Sequence, residues 1–276
     1  MRYLRSKMTF GVHSKLKFMQ KKTIVITGST RGIGFGLATE LLKSGHQVVI
    51  NGRNPDKVAR AVAKLKDSYS DEVAGITGSV DDPETHEKLI SKAVNAFGKI
   101  DIWINNAGIP QPHRKFAEIE IEDIRAITEI NIYGLMLGTR AAIKFMTVQG
   151  FGKIFNMEGY GSNGRMMDKL GLYGTTKRAV NYFTKTVSNE LIGGPVQLGI
   201  LSPGMVRTEF LNVAQEMRSP EEIKQFKKVY DVLAEDTDVV TRFLVDGLLK
   251  STKQYDRIEF LTTGKLMVRL VKMMFK

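Results

Sequence analysis

Seven short runs rich in β-branched residues recur along the chain, each separated from the next by a stretch with helical spacing, and this alternation limits the fold more than any other feature. The runs are TIVIT (23–27), HQVVI (46–50), VAGITGSV (73–80), IDIWIN (100–105), KIFNM (153–157), VQLGIL (196–201) and RIEFL (257–261). Strands this apolar on both faces must be covered on both sides. Strands joined by crossover helices run parallel, so the prediction is an α/β fold: one doubly wound, mainly parallel seven-stranded sheet between two helix layers. The helical patterns fall at 32–45, where Ile33, Leu37, Leu41 and Leu42 share a face, and near 56–67, where Val58, Val62 and Leu65 do. Others are predicted over 83–97, as two segments within 119–148, over 173–191 and near 238–250. The connection from Thr208 to Glu235 is too long for a simple loop, and its pattern predicts a helical lid.

Composition excludes several kinds of function. Zero cysteines rule out a disulfide scaffold and thiolate chemistry, and four scattered histidines show no paired ligand spacing, so no metal is expected. No apolar run approaches the roughly 18 residues a membrane span needs, and the reading is a cytoplasmic protein. A net charge of +12 raises nucleic acid as a partner, but much of the excess sits at the ends. Arg2, Arg5, Lys7, Lys15, Lys17, Lys21 and Lys22 precede Thr23 with no acid among them, and Lys265, Arg269, Lys272 and Lys276 follow Glu259 unopposed. Two basic appendages on a near-neutral body lack the aromatic-studded basic face that nucleic acid needs, so no nucleic acid partner is expected.

The first strand runs into Thr27-Gly28-Ser29-Thr30-Arg31-Gly32-Ile33-Gly34. Glycines at this spacing allow a tight turn, close backbone approach to a pyrophosphate and close packing of the next helix, whose N-terminal amides face the phosphate charge. The end of the second strand reads Asn51-Gly52-Arg53, without the carboxylate that would bind the ribose hydroxyls of NAD. Arg31 and Arg53 can instead hold a 2′-phosphate, so NADP(H) is predicted in preference to NAD(H). Farther along, Tyr173 and Lys177 stand four residues apart on one helical face. An ammonium beside a phenol favours the phenolate, which makes Tyr173 the candidate proton donor.

Four motifs in this order resemble the short-chain dehydrogenase/reductase family from about residue 22 to 261: Thr27-Gly28-x-x-x-Gly32-x-Gly34, Asn105-Asn106-Ala107-Gly108, Tyr173-x-x-x-Lys177 and Ser202-Pro203-Gly204. The resemblance implies a Rossmann sheet and hydride transfer between a nicotinamide and a carbonyl or alcohol. It implies that Tyr173 protonates the oxygen, that Lys177 also holds the nicotinamide ribose, and that Asn131 supports a water relay. Gly28 to Gly34, Asn106, Ala107, Gly108, Pro203, Gly204, Val206 and Thr208 would line the cofactor, with Ser79 and Val80 near the adenine.

The family's Asn-x-Ser-Ser is missing. This chain has Asn156-Met157-Glu158-Gly159-Tyr160-Gly161-Ser162, and alignment from Asn156 puts Gly159 at the serine position, whereas counting back from Tyr173 reaches Tyr160. Ser162 is the first candidate for the hydroxyl that orients the carbonyl, and Tyr160 the second. The acid-glycine pair, with Ile102-Trp103-Ile104, Ile154-Phe155-Asn156-Met157 and Phe260-Leu261-Thr262, resembles the chlorophyll(ide) b reductase branch. That implies reduction of a formyl group on an apolar substrate by NADPH.

The organisation expected is a basic extension (1–21), an NADP-binding catalytic domain (22–262) and a basic tail (263–276) whose cations repeat along one helical face. Such a tail could rest on anionic lipid or pack on the protein, and the family implies a homodimer or homotetramer. A catalytically silent NADP-binding sensor is the alternative to the reductase. It would keep the glycine loop and need nothing from Tyr173.

Overall fold

The computed structural model describes residues 20–209 and 219–274, the last five as backbone only. The basic extension therefore lies outside the described residues up to Met19, as do 210–218 of the expected lid and Lys276. Strands β1 (Thr23–Ile26), β2 (Gln47–Gly52), β3 (Val73–Thr77), β4 (Ile102–Asn105), β5 (Gly152–Met157), β6 (Val196–Ser202) and β7 (Arg257–Glu259) form one sheet in the order 3-2-1-4-5-6-7. Every pairing is parallel. Between β1 and β4 the strand order reverses, so their carboxyl ends open a crevice where a ligand can lie across the sheet.

Period-two alternation divides the strands between two cores. Ile24, Ile26, Val48, Ile50, Ile102 and Ile104 point to one side, against α1 (Gly32–Lys43), α2 (Pro55–Tyr69) and α8 (Thr237–Lys250). Val25, Val49, Trp103, Ile154 and Leu198 point to the other, against α3 (Pro83–Phe97), α5 (Leu135–Gln149) and α6 (Gly171–Glu190). Each such buried aliphatic side chain contributes about 1.5–3 kcal/mol. The crossovers form where local chemistry permits: Asn54 and Asp82 accept the amides of Lys57 and Glu84, with Pro55 and Pro83 at the first helical positions. Gly98 and Gly150 end α3 and α5 in the left-handed conformation.

The two segments expected within 119–148 are α4 (Ile121–Thr128) and α5, joined directly by a π-helical turn at Glu129–Gly134 that the sequence reading does not contain. The wide turn carries Asn131, fully buried, toward the crevice. The lid is helical as predicted over its described part: α7 (Pro220–Leu233) begins with a capping box between Ser219 and Glu222.

The tail forms α9 (Thr263–Met274), but its described cations face the protein. Lys265 sits 4.8 Å from the ring centres of both Phe243 and Phe260. Arg269 donates to Leu233 O at 3.0 Å and pairs with Glu235 at 2.5 Å. Attraction to a carboxylate and two ring faces turns the cationic side inward, so Met267 and Val268, each 56% exposed, look outward. The sequence leaves the tail open to lipid or to packing on the protein, and Lys265 and Arg269 make their contacts with the protein.

Candidate active site

The glycine loop is built from three positions with three different needs. Gly28 has φ +61°, and a Cβ there would lie 2.6 Å from Ala107 Cα. Gly32 has φ +56°, and a Cβ there would make only an ordinary contact with Thr208 at 3.7 Å, so its requirement is conformational. At Gly34 a Cβ would meet Asn106 Nδ2 at 2.5 Å, so this position needs closeness. Asn106 fixes the loop by donating to Thr27 O at 3.0 Å and Gly28 O at 2.8 Å, while Thr27 Oγ1 accepts from the amides of Asn106 and Ala107 at 3.1 and 3.2 Å. The N-cap of α1, Arg31, makes no side-chain cap, and no acid occupies the first turn. That leaves the leading amides of α1 suited to an anion, and the residues present fit a dinucleotide pyrophosphate.

Other predicted cofactor residues fall into two groups. Arg31 and Arg53 are exposed at the loop and beyond β2, and Arg31 pairs with Glu209 at 2.5 Å. Thr208 reaches back to the glycine loop, its methyl 3.7 Å from where a Gly32 Cβ would stand. Thr30 lies against Gly52 at the end of β2, Ile33 is half-buried, and Gly204 turns with φ +74° beside Leu261. Ser29, by contrast, is buried and donates to Ile26 O at 2.6 Å while accepting from Asn51 N at 2.9 Å. Its hydroxyl belongs to the scaffold. Val80 and Val206 are buried, Val80 against Gly134, and Pro203 is buried after β6, whereas Ser79 is half-buried. Any contact from Val80 or Val206 would come from backbone.

At the chemical end α6 carries a polar stripe, Tyr173, Lys177, Asn181, Thr184 and Ser188 recurring at steps of four and three, half-buried at Tyr173 and buried at the other four. Each of the last four is bonded to the sheet side. Lys177 Nζ donates to Met157 O at 3.2 Å, Asn181 Nδ2 to Glu158 Oε1, Asn156 Nδ2 to Thr184 Oγ1 at 3.0 Å and Ser188 Oγ to Gln254 O at 3.3 Å. Lys177 Nζ stands 5.7 Å from the Tyr173 ring centre and 3.6 Å from the place of a Gly108 Cβ. Asn131 clamps the same loop, its Oδ1 accepting from Ile109 N at 2.8 Å and its Nδ2 donating to Ile109 O at 3.0 Å. Tyr173, Lys177 and Asn131 thus converge beside Asn106-Ala107-Gly108.

Ser162 is not where the sequence reading puts it. It is buried, and its hydroxyl donates to Glu158 Oε2 at 3.1 Å. Tyr160 donates to Met166 O at 3.0 Å and so folds its own loop. What faces the Tyr173 hydroxyl is Gly159: a Cβ there would overlap the phenol oxygen and stand 3.3 Å from Lys177 Cε. The carbonyl-orienting role expected of Ser162 is corrected accordingly, because its single donor is spent on a buried carboxylate.

The electrostatics also differ from the simple ammonium-phenol argument. Burial raises the Tyr173 phenol above its ordinary value, and burial brings Lys177 down to about 8, with Glu158 pulling it up. Desolvation therefore outweighs mutual stabilisation of the pair. Two residues have no site role in the sequence reading. Gln111, buried, accepts from Tyr173 N at 2.8 Å and donates to Lys169 O at 2.7 Å, tying the start of α6 to the loop before it. Nothing in the sequence marks it. Glu158 had a signal, an acid ending an apolar strand, and is treated below.

Comparison with known proteins now adds to this geometry. The model of the family described as short chain dehydrogenase matches residues 22–219. The chain belongs to that family. This short-chain dehydrogenase, an oxidoreductase by family, is 39% identical over 230 residues to the chloroplastic chlorophyll(ide) b reductase NOL of Arabidopsis thaliana, the match covering 82% of this chain and 64% of the relative. It is 33% identical over 267 residues to the probable chlorophyll(ide) b reductase NYC1, chloroplastic, of Oryza sativa subsp. japonica, covering 91% and 52%. The dehydrogenase thus spans between half and two thirds of the length of these two relatives. Among solved structures, the 3-ketoacyl-(acyl-carrier-protein) reductase of Brucella melitensis complexed with NADH is 25% identical, with TM-score 0.74 over 87% of this chain and 96% of that one. Among the described residues, no helix of the dehydrogenase is long and apolar enough to cross a membrane.

Proposed function

We propose that this dehydrogenase uses NADPH to reduce a carbonyl on an apolar substrate, in the manner that the plant relatives' name describes. The observation carrying the reading is the Tyr173 hydroxyl set against side-chain-free Gly159, with Lys177 behind it and the glycine loop across the crevice. Bound NADPH would supply hydride to the carbonyl carbon. Tyr173 would give its phenolic proton to the carbonyl oxygen, so that carbon and oxygen together gain the two hydrogens of an alcohol. Burial keeps that phenol protonated until it is needed. Lys177, at about 8, is largely ammonium at neutral pH and would stabilise the phenolate left behind, then the ribose hydroxyls beside Gly108. Asn131 holds the Ile109 backbone at the mouth of this space.

For the cofactor's 2′-phosphate the reading uses Arg31 and Arg53, with no acid at the end of β2 to oppose it. Replacing both with alanine should weaken NADPH binding by about 10–100-fold, at about 1.5–3 kcal/mol for a charge-assisted contact discounted for exposure, and leave NADH nearly unchanged. Fluorescence titration with the two cofactors checks this, and equal losses for both would refute the assignment. Turnover of formyl-bearing tetrapyrroles against a panel of simple aldehydes and ketones, with NADPH consumption followed by its absorbance, tests the reaction itself. No turnover on either would remove it.

The dehydrogenase should also assemble with itself. Val148 at the end of α5 and Tyr182 on α6 are 90% and 73% exposed, with Phe151 close by at 43%. Light scattering is expected to give a dimer or tetramer, and a monomer at micromolar concentration would contradict this.

A further inference from the structure

Glu158 directly follows β5 with its side chain wholly withdrawn from solvent, yet the reaction derived above gives it no task. Its carboxylate collects Arg257 Nη1, 2.7 Å from Oε2 and 2.9 Å from Oε1, together with Asn181 Nδ2 and Ser162 Oγ. A buried carboxylate would be costly without these donors, and even with them an apolar pair of the same volume would serve stability as well. The position explains its use better than stability does. Asn181 lies one helical turn beyond Lys177, which lies one turn beyond Tyr173, so the carboxylate grips α6 on the face that carries both. The residue after it is Gly159, against which the Tyr173 hydroxyl rests.

We propose that Glu158 is the positioning residue of the Tyr173 and Lys177 pair: through Asn181 it indexes α6 along β5, and its buried negative charge keeps the Lys177 ammonium in place inside the cleft. Its effect on turnover rests on the reductase reading; its effect on the charge of Lys177 does not. The charged and titratable groups around this carboxylate are Arg257 on β7, Tyr255 just before that strand and Glu259 at its end, and Tyr173 and Lys177 on α6. Arg178 is occupied with Ser162 O at 3.0 Å. Of these, Glu158 is the one that draws Lys177 upward from the low value burial alone would impose.

The test uses the full chain with lysines labelled at Cε, the Lys177 signal assigned by its loss in Lys177→Met. Glu158→Gln should move the Lys177 titration down by about 1 pH unit or more, and the alkaline limb of kcat should move with it. Asn181→Leu, which removes the grip and keeps the charge, should lower kcat while the titration stays near the wild-type pH. Because an amide in place of the Glu158 carboxylate leaves Arg257 with only the longer Glu259 contact at 3.5 Å, the double variant Glu158→Gln, Arg257→Gln repeats the experiment should the single one fail to fold. A Lys177 titration at the wild-type pH in whichever of these two proteins folds overturns the proposal. Should wild type titrate as expected but reduce no carbonyl, the reductase reading falls and this assignment stands.

Discussion

Tyr173→Phe is expected to lower kcat for carbonyl reduction by about 100- to 10,000-fold, the usual range for losing a positioned proton donor, with NADPH affinity close to wild type. The phenyl ring keeps the buried volume and the packing of α6, so the loss falls on the proton alone. The backbone link Gln111 makes to Tyr173 N is also untouched. Steady-state rates with the best carbonyl of the panel, and a fluorescence titration of NADPH, give the two numbers. A variant that keeps more than about a tenth of wild-type kcat would mean that Tyr173 is not the donor.

Gly159→Ala should cost about 100-fold in kcat, a loss comparable to that from misplacing a reacting group by about 1 Å. The added methyl would occupy the position of the phenol oxygen, so Tyr173 must swing away or the loop after β5 must retreat. Serine would be worse placed than in a chain built around Asn-x-Ser-Ser, since the tyrosine here already fills the space that a serine would need. Thermal unfolding should change little, because the displaced group lies at the crevice and not in either apolar core. Equal activity in wild type and the Gly159→Ala variant would show that the phenol works from another position.

The fold was legible because its signals are local and repeated. β1 and β2 carry unbroken apolar runs, Pro55 and Pro83 mark helix starts, and the parallel pairing follows from the crossovers. The convergence of Tyr173, Lys177, Asn131 and the glycine loop was legible for a related reason, since each lies at the carboxyl end of a strand or on a helix spaced to face one. What failed depended on where single side chains turn. Ser162 reads as a free hydroxyl until the burial of Glu158 four residues earlier is known. Ser29 reads as a phosphate contact until its bond to Ile26 is seen. No local sequence signal sets the π-helical turn at Glu129–Gly134 apart from ordinary helix, and the cations of α9 turn inward partly toward Glu235 and Phe243, which lie well upstream in the chain.

The two ends of α7 are fastened unequally. Its carboxyl end is held by Arg269 through Leu233 O and Glu235, and Glu235 itself exchanges backbone bonds with Met205 and Arg207. Among the described residues its amino end is held through Glu222, which Lys169 keeps ionised down to about 2 at a separation of 2.5 Å, with His113 3.5 Å away. Fastened so, α7 would loosen first at its amino end, on the side of Lys169, a few residues before Tyr173.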